Sequence, residues 1–289
     1  MIVWKEPQFR CKRYTNNSIT DLSVFASMCI VWYNFDDAGN ACFFIEAYRL
    51  RRNAPLASQN TSENGKMNVA IDGPAGAGKS TVARLVAESL AYIYVDTGAM
   101  YRAVTLHMLR KGISPEDVPE VLQETQKLVI DLQPDPDGQK VFCNGEDVTS
   151  EIRSREVTGI VSRYAQIEGL RTQLVDTQRQ MALRKGVVMD GRDIGTTVLP
   201  DAEVKIFMTA SVEERALRRF KELDPSEGLT LQQLERDIAT RDKLDESREI
   251  SPLRCAEDAT VLDTTKMSIH EVVDKIVSYC TMVRGEIGL

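Results

Sequence analysis

Short apolar runs separated by longer amphipathic stretches set the rhythm of most of this chain. Residues 69–72, 92–95, 187–189, 204–208 and 261–262 are such runs, and unbroken apolar runs of this length suit parallel strands buried on both faces. After the first run, Val82, Leu85, Val86 and Leu90 recur at i, i+3, i+4 and i+8, the stripe of an amphipathic helix. The gaps between the later runs leave room for helices. Strands alternating with helices predict an α/β fold, a parallel sheet of about five strands with helices on both faces. Ligands then gather at the carboxyl ends of the strands. Three runs end there in an acid, Asp96, Asp190 and Asp263.

Residues 131–149 break the rhythm. Pro134, Pro136, Gly138 and Asn144-Gly145 are turn signals around a short Val141-Phe142 strand, which predicts a hairpin-bearing insert. With its flanking helical stretches, the insert forms a lobe at about residues 103–180. It interrupts a core made of 67–102 and 181–289.

Composition separates the beginning of the chain from the rest. Of 289 residues, the first 66 hold both tryptophans, Trp4 and Trp32, and ten of the 18 aromatics, with net charge +2. The other 223 residues carry net −9. Residues 22–35 are uncharged and mostly apolar, but 14 positions are too few to cross a bilayer. Following Lys5, Arg10, Lys12 and Arg13, they imitate an export signal, yet only Asp36-Asp37-Ala38-Gly39-Asn40 follows, not a small-residue cleavage site. A polar stretch at 49–66 reads as a linker. The expectation is a leader of unknown role over 1–66 and a working domain from Met67 to Leu289.

Immediately after the first strand, Gly73-Pro74-Ala75-Gly76-Ala77-Gly78-Lys79-Ser80-Thr81 fits G-x-x-x-x-G-K-[ST]. Strand, glycine loop and helix come in the order that a phosphate-binding loop requires. The glycines let successive backbone N–H groups curl toward phosphate oxygens, and the helix N-terminus adds partial positive charge. Lys79 is placed to reach the β- and γ-phosphates, and the Ser80 hydroxyl to ligate Mg²⁺. The whole segment 73–81 is therefore the candidate ATP site. Beyond Ser80, Asp72, Asp96 and Asp190 are all candidate metal ligands. Asp190, which follows Val187-Val188-Met189, comes first among them.

Two histidines, His107 and His270, leave little room for a histidine metal site or triad. No Asn-Lys pair occurs anywhere in the chain, which weighs against a guanine-reading switch. Arginines stand just after two strands instead, in Asp96-Thr97-Gly98-Ala99-Met100-Tyr101-Arg102 and Asp190-Gly191-Arg192-Asp193. Transfer between two phosphorylated reactants needs such cations, because donor and acceptor anions repel each other. Ser211-Val212-Glu213-Glu214 reads as a capping box, after which Arg215, Arg218 and Arg219 share one helix face. Over residues 215–250 these arginines suit a lid that closes on the triphosphate.

In combination and order, G-P-A-G-A-G-K-S-T at 73–81, D-T-G-A-M-Y-R at 96–102, E-D-V-T-S-E-I-R at 146–153 and D-G-R-D-I-G-T at 190–196 resemble the bacterial cytidylate kinases. So do V-K-I-F-M-T-A-S-V-E-E-R-A-L-R-R at 204–219 and the segment around 241–248. The resemblance runs from about Met67 to Cys280. It implies transfer of the γ-phosphate of ATP to CMP or dCMP, with Lys79, Arg102, Arg192, Arg215 and Arg219 as catalytic cations. It puts Arg102, Arg192 and Arg248 on the acceptor phosphate, with Thr97 among the substrate residues. Ser162, Arg171 and Asp193 would read cytosine, and Arg241 and Asp245 would hold the ribose. The insert becomes the nucleoside-monophosphate lobe. A kinase for another small acceptor, or an ATP-binding regulatory module without transfer, are the alternatives. Net −9 over the matching region argues against nucleic-acid binding. Cysteines without C-x-x-C spacing and a need for ATP lead to a cytoplasmic, membrane-free protein, with a monomer as the family-like expectation.

Overall fold

The computed structural model describes residues 65–135, 138–222 and 228–288, together with the backbone of two strands near the beginning of the chain. The chain divides into two compact units, Met1–Asn60 and Thr61–Leu289. The first contains strands β1 (Cys29–Phe35) and β2 (Ala41–Ala47), paired antiparallel from Cys29 opposite Ala47 to Phe35 opposite Ala41. Half of the apolar stretch at 22–35 is thus extended hairpin backbone. The polar stretch at 49–64, Trp4, the cations Lys5, Arg10, Lys12 and Arg13, residues 36–40 and Pro136 lie outside the described residues.

The second unit is built on β3 (Asn68–Asp72), followed by the glycine loop and α1 (Lys79–Leu90). Next come β4 (Ile93–Asp96), α2 (Thr97–Lys111) and α3 (Val118–Thr125). The insert supplies β5 (Ile130–Asp135), β6 (Gly138–Cys143) and β7 (Glu146–Asp147), then α4 (Arg155–Tyr164) and α5 (Glu168–Ala182). The chain returns through β8 (Val187–Gly191) and β9 (Val204–Thr209) to α6 (Val212–Glu222) and α7 (Leu231–Glu246). It ends with β10 (Thr260–Asp263) and α8 (Ile269–Glu286).

All five apolar runs become strands of one parallel sheet, in the order β10-β9-β3-β8-β4. β3 lies in the middle and is buried along its whole length. Its Val69 and Ile71 pack with Val82 and Val86 of α1 and with Val272, Val273 and Ile276 of α8. On the other face, Ala70, Val95 and Met189 pack with Val175 and Ala182 of α5. Helices therefore cover both sides, as the unbroken apolar runs require.

Strand register decides which carboxylates meet. Asp96 stands opposite Asp190, and Asp72 stands opposite Gly191, so three strand-ending acids share one carboxyl edge. The insert adds an antiparallel three-stranded sheet, β5-β6-β7, one strand more than a simple hairpin. Gln139 on β6 fixes this lobe to the free edge of β4, donating to the Tyr94 carbonyl at 2.6 Å and accepting from Asp96 N at 3.2 Å. α2 runs unbroken through residue 103, so the lobe begins inside a helix rather than at a loop. Its own core gathers Met100, Val104, Met108, Val121, Tyr164 and Leu170.

Ser211 caps α6 by accepting from Glu214 N at 3.2 Å. Only half of the predicted capping box forms, because the Glu214 carboxylate takes Arg218 at 2.9 Å instead of reaching back. Complete boxes stand at Thr230/Gln233 on α7 and Ser268/Glu271 on α8. Residues 223–227, between α6 and α7, lie outside the described residues.

Candidate active site

The glycine loop turns where glycine alone fits. A Cβ at Gly73 would lie 2.0 Å from the Met208 carbonyl oxygen, and Gly73 has φ +147°. Gly78 caps α1 at φ 81°, leaving Lys79, Ser80 and Thr81 in the first turn, where backbone N–H groups are unpaired within a helix. The Lys79 ammonium is buried and donates to the Pro74 carbonyl at 2.7 Å, and burial and the nearby Arg192 lower its pKa.

Ser80 and Asp190 meet at 2.9 Å, hydroxyl to carboxylate. The other Asp190 oxygen accepts from the Tyr94 hydroxyl at 2.9 Å, and the Asp190 carbonyl accepts from Thr97 Oγ1 at 2.7 Å. Burial and the facing Asp96 push the Asp190 carboxyl up to about 6. Asp72 also titrates near 6 because it is buried, but both of its oxygens are engaged by backbone N–H groups of Ile194 and Gly195 at 2.8 and 2.7 Å. Asp96 caps α2 through Ala99 N at 2.8 Å and holds Arg102 at 3.1 Å. Of the three candidate carboxylates, Asp190 is the one beside the Ser80 hydroxyl. Among the described residues no cluster of three His, Cys, Asp or Glu side chains is arranged as a metal cage. One hydroxyl and one carboxylate fit a hard cation that keeps most of its water and takes substrate phosphates for the rest.

Across from the loop, Asp245 on α7 collects residues from three other parts of the chain. It accepts from Arg192 Nε at 2.8 Å and Ser162 Oγ at 3.1 Å, and it pairs with Arg248. Burial alone would raise its pKa, but Arg192, Arg248 and Arg241 hold it below the usual value. Arg241 projects from the same helix, and its pKa falls to about 10 through burial and the charge of Arg192. The Nε atoms of Arg102, Arg171, Arg241 and Arg248 are buried without hydrogen-bond partners. Cations crowded together with unspent donors are a receptor for an anion.

Beside this cluster, Arg171 and Asp193 form an almost fully buried pair at 2.5 Å. The Arg171 guanidinium also lies 5.3 Å from the centre of the Tyr101 ring. The Tyr101 hydroxyl is buried and unpartnered, and burial raises its pKa to about 12.

The three arginines of α6 do not act as one face. Arg215 is buried and spans Ala210, the Ala75 carbonyl at 2.8 Å and Asp242 at 2.6 Å. Arg218 binds Glu214 and Thr264. Only Arg219 points outward, at 3.4 Å from Glu222. The spacing places all three on one side of α6, but their partners differ: apolar Ala216, Leu234 and Ile238 form the α6–α7 seam, and Arg215 lies inward beside it.

The residues not singled out from sequence are Tyr94, Tyr101 and Arg153, together with the roles of Asp72 and of Asp242, which reads in the sequence only as part of the charged stretch Arg241, Asp242, Asp245 and Arg248. Arg153, from the quoted E-D-V-T-S-E-I-R motif, brings Nη2 to 3.7 Å from Asp96. Tyr94 lay in plain sight, two residues before the acid that ends its strand.

The family profile described as cytidylate kinase matches residues 69–282. A cytidylate kinase of Bacillus subtilis (strain 168) is 53% identical over 212 residues, covering 73% of this chain and 95% of that protein. One from Bacillus velezensis is 54% identical over 213 residues, covering 73% and 95%. Another, from an Exiguobacterium species, is 54% identical over 212 residues, covering 73% and 94%.

Proposed function

The chain belongs to the cytidylate kinase family, and from that premise we propose how its residues divide the work. The reaction is transfer of the γ-phosphate of ATP to CMP or dCMP, giving ADP and the nucleoside diphosphate. An acceptor phosphate oxygen forms the new bond to the γ-phosphorus while the bond to the β-bridging oxygen breaks, and ADP leaves. The observation that carries the residue assignment is the convergence on Asp245 of Ser162, Arg192 and Arg248, from α4, the turn after β8 and the segment after α7.

Residues 73–81 hold the triphosphate, with Lys79 meeting charge that builds on the transferring group. Arg102, Arg192 and Arg248 hold the acceptor phosphate, and Arg153 adds positive charge at the rim. Arg241 and Asp245 hold the ribose. Ser162, Arg171 and Asp193 read cytosine: the carboxylate accepts from the exocyclic amine, while the guanidinium and hydroxyl donate to the ring N3 and O2. Uracil would set a carbonyl against Asp193, leaving two acceptors face to face. Thr97 holds β8 in place through the Asp190 carbonyl.

Ser80 and Asp190 would hold Mg²⁺, which when bound neutralises the β- and γ-phosphates. Positioning and charge suffice for this chemistry, so no covalent intermediate and no dedicated base are invoked. Arg215 acts by bracing the loop, and Arg219 is the α6 cation free to reach a nucleotide when the lid closes. A monomer is the family-like reading, and the substrates argue for the cytoplasm. Among the described residues, no helix is long and apolar enough to cross a membrane.

An ADP-release assay with CMP, dCMP, UMP, AMP and GMP tests the reading. CMP and dCMP should lead by at least about tenfold in kcat/KM, and UMP equal to CMP would break the cytosine assignment.

A further inference from the structure

Asp72 is the last residue of β3 and immediately precedes the glycine loop, and its carboxylate is spent on the turn that follows β8. Its two oxygens accept from Ile194 N at 2.8 Å and Gly195 N at 2.7 Å. These are the first two amides of a tight five-residue helical turn, Ile194–Val198, directly after Arg192 and Asp193. Inside the turn, Thr197 N and Val198 N close on the Asp193 carbonyl at 2.8 and 3.1 Å. The Ile194 and Gly195 amides therefore look outward, and Asp72 is the acceptor they find. The carboxylate is 5% exposed, so water does not substitute for it.

The fit is close from the other side too. A Cβ at Gly195 would lie 3.4 Å from Asp72 Oδ2 and 3.2 Å from Lys205 Cδ. The Lys205 ammonium is committed elsewhere, to Pro200 and to Asp258 at 2.7 Å. Asp193 sits at φ −142°, ψ 26°, a conformation outside the main helical and strand basins, so its orientation depends on what anchors the turn after it.

We propose that Asp72 is a positioning residue for the acceptor: by anchoring the turn at Ile194 and Gly195, it aims Arg192 at the acceptor phosphate and Asp193 at the cytosine. Because Gly73 follows it directly, one rigid strand end fixes both the donor loop and the acceptor-reading turn. This inference rests on the assignment of Arg192 and Asp193 to the acceptor.

The test uses the full-length enzyme. Asp72→Asn keeps one accepting oxygen and sets an amide NH₂ against a backbone N–H, so one anchor is lost. Gly195→Ala presses on the same contact from the turn and keeps Asp72 itself. KM for ATP and CMP, and the CMP-over-UMP ratio of kcat/KM, are measured for both variants beside Asp193→Asn. The expected result is a rise of about tenfold in KM for CMP in Asp72→Asn, with a loss of about tenfold in CMP-over-UMP preference. Gly195→Ala should show a smaller change of the same kind, and KM for ATP should stay within about twofold. Unchanged preference in Asp72→Asn and Gly195→Ala while Asp193→Asn loses it would overturn the proposal alone. Preference unchanged in Asp193→Asn as well would overturn the assignment beneath it. A rise confined to KM for ATP would make Asp72 a donor-loop residue and also overturn the proposal. If Asp72→Asn fails to fold, Gly195→Ala decides by the same measures.

Discussion

Arg215 and Asp242 meet at 2.6 Å and together hold both backbone polar groups of Ala75: Arg215 donates to its carbonyl at 2.8 Å, and Asp242 accepts from its N–H at 3.1 Å. Two helices between β9 and β10 thus grip the third residue of the glycine loop. The loop's shape then depends on α6 and α7 as well as on its own glycines.

Breaking this grip should harm the donor side first. Removing one partner of a buried pair leaves an uncompensated charge, at a typical cost of about 3–5 kcal/mol. Asp242→Ala and Arg215→Ala should each lose stability on that scale in urea unfolding and raise KM for ATP more than KM for CMP. The double variant should lose less than the sum of the singles, because the two share one interaction. Additive losses would mean that the pair is not a unit.

Arg102 should separate the two substrates in the opposite sense. It is held by Asp96 at 3.1 Å, with its Nε buried and unpartnered. Arg102→Ala should raise KM for CMP by about tenfold or more, on the scale of a lost charged hydrogen bond, with KM for ATP nearly unchanged. Steady-state kinetics with each substrate varied in turn will decide. If ATP kinetics change and CMP kinetics do not, donor and acceptor assignments need exchanging.

Lys79→Ala should lower kcat by about 10²–10³, the range found for removing one preorganised charge-stabilising donor. Its ammonium lies against the Pro74 carbonyl at 2.7 Å, so the loop also loses an internal tie. Unfolding of the variant, measured in parallel, separates lost structure from lost chemistry. A stable variant with near-normal kcat would remove Lys79 from the mechanism.

The sequence made the sheet legible because its strands are buried on both faces and so read as unbroken apolar runs. The glycine loop was equally plain, since its function rests on backbone conformations that glycine supplies. Contacts were not legible. Asp72 meets Gly195 across 123 positions and Ala75 meets Asp242 across 167, and no local pattern reports such pairings. Spacing also could not tell the arginines of α6 apart, where Arg215, Arg218 and Arg219 share a periodicity but not an environment. One faces the loop, one Thr264 and one solvent, because the neighbours of a helix, not its repeat, decide what each position touches. Glu214 likewise had two partners within reach, the helix N-terminus and Arg218, and the charged pair won.

The Asp72 carboxyl gives a pH signature for the anchor between strand and turn. Burial moves its pKa from 3.8 to about 6, against the two backbone N–H bonds that favour ionisation; Asp193 raises it further and Lys79 lowers it. Between pH 6 and 3.8 the folded chain holds a proton here that the unfolded chain has released. A raised carboxyl pKa means that lowering the pH through this window favours the folded state, and that this group contributes least above pH 6. The unfolding free energy of the unaltered protein, relative to Asp72→Asn, should therefore rise by about 1 kcal/mol between pH 7 and pH 5. Subtracting the variant cancels the other titrating groups, including the Asp190 carboxyl near 6. Urea unfolding of both proteins across the range provides the measurement. A difference that stays flat with pH would mean that Asp72 ionises at its ordinary value and that its two backbone bonds offset the cost of burying the charge.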